Sequence, residues 1–254
     1  MYNFHLTYCI HLGRRTMPRT RTLTLDLHVH TNYSHDGRAS VEEIIESAIV
    51  KKLDGIAICD HNTMEGSYAA QKYVADNDVD LIIIPGIEVS TSKGHLLLLG
   101  IKDEKGIKKG LPAEETIRRA RQQEKDENAP VVIIAPHPFH PFRHSSGNFC
   151  THTGVDAIEV FNSRYFTGIA NELARRTAVR NKSTTVSGSD AHSADCVGLA
   201  TVGVEVDIDA NVNAAQKPAY EPILRAIKEG KVQIKDTKRT PFWLYFSQMC
   251  MKKR

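Results

Sequence analysis

The 254-residue chain has no long apolar run. None of its hydrophobic stretches approaches the ~20 residues that a helix needs to span a bilayer, so no membrane partner is expected. Cysteine is sparse: Cys9, Cys59, Cys150, Cys196 and Cys250 are odd in number and scattered, and none forms a Cys-x-x-Cys pair. That excludes a disulfide framework and a thiolate zinc site, and it favours a reducing, cytoplasmic setting. Charge of one sign is nearly absent in excess; a net charge of +3 gives no reason to expect nucleic acid as the default partner. There is no Gly-rich phosphate loop, no defensible internal repeat and no low-complexity tract. The mildly apolar Met1–Gly13 has neither a preceding basic region nor a small-residue cleavage site. It reads as a leader, with Met17 as an alternative start.

What the chain has is histidine, twelve in all, clustered where apolar runs end. Asp26-Leu27-His28-Val29-His30 closes Leu23–Leu27, and Cys59-Asp60-His61 closes Gly55–Ile58. Glu88 follows Leu81–Ile84, His137 follows Val131–Ala135, and Ser189-Asp190-Ala191-His192 follows Thr184–Val186. Imidazoles and carboxylates at the ends of successive buried strands are the sequence signature of a metal site on an α/β sheet or barrel.

The segments between these clusters support that reading. Strand-like and helix-like stretches alternate. Ser40–Lys51 carries Ser40 as N-cap, Glu43 three residues on as capping-box partner, and Val41, Ile44, Ile45 and Ala48 at helical spacing. Thr63–Ala75, Pro112–Asn128, Gly168–Asn181 and Tyr220–Glu229 read as further helices, with Glu114–Arg118 and Glu115–Arg119 pairing on the solvated face of the third. Leu81–Val89 and His95–Ile101 can pair across the Ser90–Gly94 turn. A hydrophobic content of 41% suffices for one barrel-sized core. The expected architecture is α/β with a parallel sheet, closed or nearly closed. Residues 1–22 form the leader, 23–236 the barrel, and 237–254 a tail in which Phe242, Trp243, Leu244, Tyr245 and Phe246 precede a basic end.

A strand has a side-chain period of two, so His28 and His30 point to one side, and Asp190 and His192 repeat that spacing. Glu88 can bridge two cations. A single histidine beside a strand is ordinarily a core or surface residue. Several at consecutive strand ends, interleaved with acids, do not arise from packing, because burying each unpaired costs several kcal/mol. Imidazole plus carboxylate without thiolate suits Zn, Mn or Fe in a multinuclear hydrolytic centre. Two such ions about 3.5–4 Å apart can hold a phosphate and activate water. His5, His11 and His152 fall outside the pattern as bystanders. His140 and His144 share the Pro136–Asn148 loop with His137 and can line the pocket.

The strings Asp26–Thr31 with Tyr33-Ser34-His35-Asp36-Gly37, Asp60-His61, Pro85–Ser90 with His95, Ala135–Pro138, Asp156–Asn162 and Gly188–His192 together resemble the motifs of the PHP (polymerase and histidinol phosphatase) family over roughly residues 24 to 203. The resemblance implies a distorted (β/α)7, TIM-like barrel and a phosphoesterase with two or three divalent metals in a cleft at the carboxyl ends of the strands. By the same mapping His28, His30, Glu88, His137, Asp190 and His192 are ligands, and His61 and His95 fall on positions that family members also use. Of the adjacent His35 and Asp36, the Tyr-Ser-x-Asp-Gly context favours Asp36. Asp60, His61 and Asp190 are the candidates for a direct part in catalysis, although Asp60 could instead orient a ligand imidazole or be a buried acid that meets no metal.

A phosphate ester also needs cationic contacts. Arg38, Lys93, Arg143 and Arg164 lie on loops after strands; Arg143, Arg164 and Lys93 are the substrate-binding candidates. The expected reaction is hydrolysis of a small phosphomonoester, such as a nucleotide, by a hydroxide held on the metals. The alternative is a PHP-type exonuclease or polymerase-accessory module acting on nucleic-acid ends. That would use a basic strip with stacking aromatics, for which Lys228–Arg239 and Lys252–Arg254 are the only support.

Overall fold

A computed structural model describes residues 19–165, 167–208 and 219–244. Met1–Gly13, Met17, Tyr245, Phe246 and Lys252–Arg254, with His5, His11, Cys9 and Cys250, lie outside the described residues. The strands are β1 (Arg19–Val29), β2 (Gly55–Ile58), β3 (Ile82–Thr91), β4 (Gly94–Leu99), β5 (Val132–Ala135), β6 (Ala157–Asn162), β7 (Thr184–Gly188), β8 (Ala200–Ile208) and β9 (Val232–Thr237). The helices are α1 (Val41–Val50), α2 (Glu65–Asp76), α3 (Ala113–Asp126), α4 (Ile169–Asn181) and α5 (Tyr220–Lys228). Ser40 caps α1 as its sequence implies: its Oγ accepts the Glu43 amide at 3.2 Å, and the Glu43 carboxylate accepts the Ser40 amide at 2.8 Å. Among the described residues no helix is long and apolar enough to cross a membrane.

The strands form one sheet in the order β7-β6-β5-β4-β3-β2-β1-β8-β9. It curls until its ends meet: just beyond β7, Ala191 bridges to Val29 in parallel register. The His30 amide donates to the Ala191 carbonyl at 2.8 Å, and the Ala191 amide donates to the His28 carbonyl at 3.3 Å. The result is a distorted, nearly closed barrel. The sheet is not all parallel as alternation implied. β1–β2–β3 and β5–β6–β7 run parallel within each group, but β4 pairs antiparallel with both β3 and β5. β8 and β9 are also antiparallel additions, beside β1. The cause is local: the Ser92–Lys93 turn is too short for a crossover helix, so β4 must fold straight back.

The barrel interior is apolar at one end. Leu23, Leu25 and Leu27 of β1, Leu97 and Leu99 of β4, and Val202 and Val204 of β8 close around Ile223, Leu224 and Ile227 of α5, which plugs that end. Each such side chain contributes about 1.5–3 kcal/mol by leaving water. α1 and α2 cover β2 from outside, and α3 covers β3 and β4. The inward alternation along β1 then breaks. Pairing with β2 slips between Asp26 and Val29, and Asp26 braces the irregularity by accepting the amides of His28 (3.3 Å), Ser189 (3.1 Å) and Gly198 (2.8 Å). A bulge of this kind re-aims side chains; here it turns His28 and His30 into the barrel mouth.

Candidate metal centre

At the mouth the apolar lining gives way to imidazoles and carboxylates with no solvent contact. His28, His30, Glu88 and Asp190 are all completely buried. His28 Nε2 lies 3.1 Å from His30 Nε2 and 3.4 Å from Glu88 Oε2. His30 Nε2 lies 3.2 Å from Glu88 Oε2 and 3.4 Å from Asp190 Oδ1. On the other oxygen of Glu88, His95 Nδ1 sits at 2.6 Å and His137 Nε2 at 3.0 Å, while His61 Nδ1 is 3.3 Å from Oε2. Further out, His192 Nε2 is 2.9 Å from Asp36 Oδ2 and His61 Nε2 is 3.7 Å from Asp36 Oδ1. Among the described residues four overlapping triads have donor atoms within 4.8 Å of one another: His28/His30/Glu88, His61/Glu88/His95, His30/His61/His192 and His35/Asp36/His61.

These contacts fit cation ligation better than hydrogen bonding. His61 Nδ1, His95 Nδ1, Asp36 Oδ1 and Asp190 Oδ1 are buried yet lack a hydrogen-bond partner. His95 Nδ1 is within 2.6 Å of a carboxylate oxygen without the alignment that a hydrogen bond requires. Buried polar atoms left in this state are costly. Lone pairs converging on a shared point are what divalent cations need, and nitrogen with oxygen and no sulfur suits Zn, Mn or Fe. Protonation fits as well. Burial, together with neighbouring positive groups, holds His30, His137 and His192 well below the ordinary imidazole range, and burial pushes His61 down to about 3. Burial disfavours charge on Glu88, but His95, His61 and His28 outweigh it and hold the carboxyl well below the usual range. His28 is the exception: burial lowers it, yet Glu159 and Glu88 raise it to about 9.

Each group is held from behind. Glu159, which the sequence reading did not single out, lies 3.0 Å from His28 Nδ1 and accepts the His137 amide at 2.8 Å. Asn162 Nδ2 donates to Glu159 at 2.9 Å and to Asp190 at 3.0 Å. Ser34 Oγ lies 3.1 Å from His30 Nδ1 and accepts the His61 amide at 2.8 Å. Such partners fix the ring orientation of ligand histidines. The period-two spacing of Glu159 and Ala157 on β6 is the signal that could have found it, since both face inward. Gly188 makes this packing possible: a Cβ there would lie 2.4 Å from Glu159 Oε1 and 2.6 Å from His28 Cβ. His137 and Asp190 sit at φ of 31° and 52°, a conformation that costs non-glycine residues ~1–3 kcal/mol and gathers at functional sites.

The remaining expectations divide. Arg143 and Arg164 do reach the centre. Both are about seven-eighths buried; Arg143 pairs with Asp190 Oδ2, and Arg164 Nη1 lies 3.9 Å from Asp190 Oδ1. Lys93 does not: its ammonium lies 3.6 Å from Glu114 and over the Phe149 ring, on a largely exposed side chain. Arg118 pairs with Glu115 and not with Glu114. Asp60 does not meet the cluster either. Its two oxygens accept the Thr31 amide and hydroxyl, each at 2.7 Å, so it braces the loop after His30. His35 is exposed, with its ring 5.0 Å from that of His61, beside the inward-turned Asp36. His144 packs 5.3 Å from His95, His140 against Tyr165, and His152 on Phe149. A cleft of about 470 Å³ opens above, lined among others by Asp36, His61, His95, Lys109, Phe142 and Arg143.

Comparison with known proteins is consistent with this geometry. The PHP domain model matches residues 26–126, and the PHP-associated model matches residues 168–232. An uncharacterized protein of Methanocaldococcus jannaschii is 33% identical over 165 residues, which is 61% of this chain and 91% of that one. The 5'-3' exoribonuclease Rnm of Salmonella typhimurium is 32% identical over 98 residues, 37% of this chain; the chain spans only 33% of that enzyme's length. Among solved structures, a two-domain protein of Bacteroides vulgatus containing a predicted PHP-like metal-dependent phosphoesterase superposes with a TM-score of 0.66 at 15% identity. That match covers 89% of this chain and 69% of the other, and it is a likeness of fold. With motifs, barrel and relatives in agreement, the chain belongs to the PHP domain family.

Proposed function

We propose that the chain is a metal-dependent phosphoesterase, a hydrolase of small phosphomonoesters such as nucleotides. The observation that carries this reading is the placement of two buried guanidiniums, Arg143 and Arg164, on Asp190 at the edge of the imidazole–carboxylate cluster. Beyond their pairing with Asp190, two buried guanidiniums at the edge of the cluster favour an anionic ligand there. His28, His30, Asp36, His61, Glu88, His95, His137, Asp190 and His192 would hold two or three divalent ions, Zn, Mn or Fe, with Glu88 facing two groups at once. Bound there, such ions lower the pKa of water and neutralise charge on phosphoryl oxygens.

The protein's own part is positioning. Arg143 and Arg164 present planar donor forks that match phosphate oxygens. Glu159 and Asn162 fix His28, His137 and Asp190. Imidazoles that stay neutral through burial keep their lone pairs available. His61 and Asp190 are the candidates for contact with the attacking water. The volume of the cleft suits one small ester. The free buried cysteines Cys59, Cys150 and Cys196 support a reducing cytoplasmic setting.

A second reading, attack on nucleic-acid ends, draws on the partial match to the exoribonuclease. The test is a panel: the full chain loaded with Mn or Zn, assayed on p-nitrophenyl phosphate, mononucleotides, histidinol phosphate and a short single strand. Turnover of monoesters is expected. Full metal occupancy with no turnover of any substrate would overturn the assignment, and turnover of the strand alone would favour the second reading.

A further inference from the structure

Phe142 is the most exposed large apolar side chain among the described residues, at 84% of its surface, and it lines the cleft. It shares the lining of that cleft with His61, His95, Asp36 and Lys109, and it immediately precedes Arg143. Its ring meets that of His140 edge-on at 73° with the centroids 6.3 Å apart, and most of its surface still faces solvent. Its loop is internally bonded. The His140 amide donates to the His137 carbonyl at 3.1 Å, the Gly147 amide to the Pro138 carbonyl at 2.7 Å, and the Phe142 amide to His140 Nδ1 at 3.2 Å. Ser145 Oγ lies 2.8 Å from the His137 carbonyl and 2.9 Å from that of His140. One braced loop therefore carries a candidate metal ligand, a guanidinium aimed at the metal centre and a solvent-facing aromatic ring.

We infer that Phe142 is the stacking platform for a nucleobase, so that the ester taken by this site is a nucleoside phosphate, free or at the end of a strand. The inference rests on the phosphoesterase reading and names its substrate class. An aromatic ring held in water gains most from a flat partner, and base stacking on aromatics is tolerant of base identity because every base has a π-face. Arg143, next in the chain, is placed to take the phosphate while the ring takes the base. Lys109 supplies a further cation in the same cleft for a second phosphate. A sugar phosphate without a base would leave the ring uncovered.

The test compares AMP, ribose 5-phosphate and 5′-phosphorylated triadenylate on the metal-loaded full chain. Steady-state kinetics give kcat and KM, and calorimetry gives binding whether or not turnover occurs. AMP is expected to bind more tightly than ribose 5-phosphate. Phe142→Ala should reduce that preference about tenfold, equivalent to about 1.4 kcal/mol, through KM and not kcat, while Phe142→Trp retains it. A further gain for triadenylate would assign the site to strand ends; equal affinity would assign it to mononucleotides. An unchanged preference in Phe142→Ala, or an equal loss in Phe142→Trp, would overturn the inference. Binding that follows these expectations without turnover would leave stacking intact and refute the phosphoesterase reading alone.

Discussion

Leu224 and Glu88 are both completely buried in the same barrel, one at each end. Leu224 lies in an apolar cluster with Leu97, Leu99 and Val202, and burial there stabilises the fold. Around Glu88 the neighbours are His28, His61, His95 and His137, and burial sets polar groups against one another until an ion satisfies them. Equal burial thus has opposite consequences. The α5 end provides the stability that lets the mouth remain strained, with His137 and Asp190 at positive φ.

Four experiments test that contrast. Glu88→Gln should have the largest effect: loss of most bound metal by ICP-MS and a fall in kcat/KM of more than about a hundredfold, since even residues that merely support ligands cost ~10–100-fold. Leu224→Ala should lower unfolding free energy by about 2–5 kcal/mol in urea melts, yet leave metal stoichiometry per folded molecule unchanged. If Leu224→Ala emptied the mouth, the two ends would not be separable. Glu159→Gln should weaken metal binding about 10–100-fold and alter its pH dependence. In the metal-free protein His28 titrates at about 9, so a metal must displace its proton at pH 7, and affinity should climb about tenfold per pH unit up to that point. The stabilisation from protonated His28 has the opposite sign: fully present below about pH 6.5, it is lost as pH rises through about 9. Glu159→Gln should flatten both trends; an unaltered slope would remove Glu159 as their cause. Lys93→Ala should change stability by less than about 0.5 kcal/mol and kcat/KM by less than about twofold; a larger kinetic loss would return it to the substrate site.

The mouth was more legible in the sequence than the barrel around it. His28, His30, His61, His137 and His192 announce themselves because packing alone seldom puts imidazoles at the ends of successive buried strands. Ser40 and Glu43 announced α1 because capping is a local interaction. What escaped depends on long-range geometry. The slip at Asp26 follows from how β1 meets β2, not from any residue within it. β8 looks like any strand until Thr22 faces Glu205 in antiparallel register. Glu159 reads as one inward residue of β6, and only the closed barrel brings it to His28. Asp60 is tied to Thr31, a partner 29 residues away that no local pattern announces. Lys93 follows a strand as Arg143 does, but the β3–β4 hairpin turns it towards α3.

The Val29–Ala191 bridge joins residues 162 positions apart, and the centre straddles it. His28 and His30 are made early in synthesis, whereas Asp190 and His192 come late. A ribosome-bound chain that ends before Asp190 cannot assemble the full ligand set. Completion of the candidate ligand set therefore falls after the last parallel strand has docked, and an ion bound there would secure a closure that depends on slow, non-local pairing.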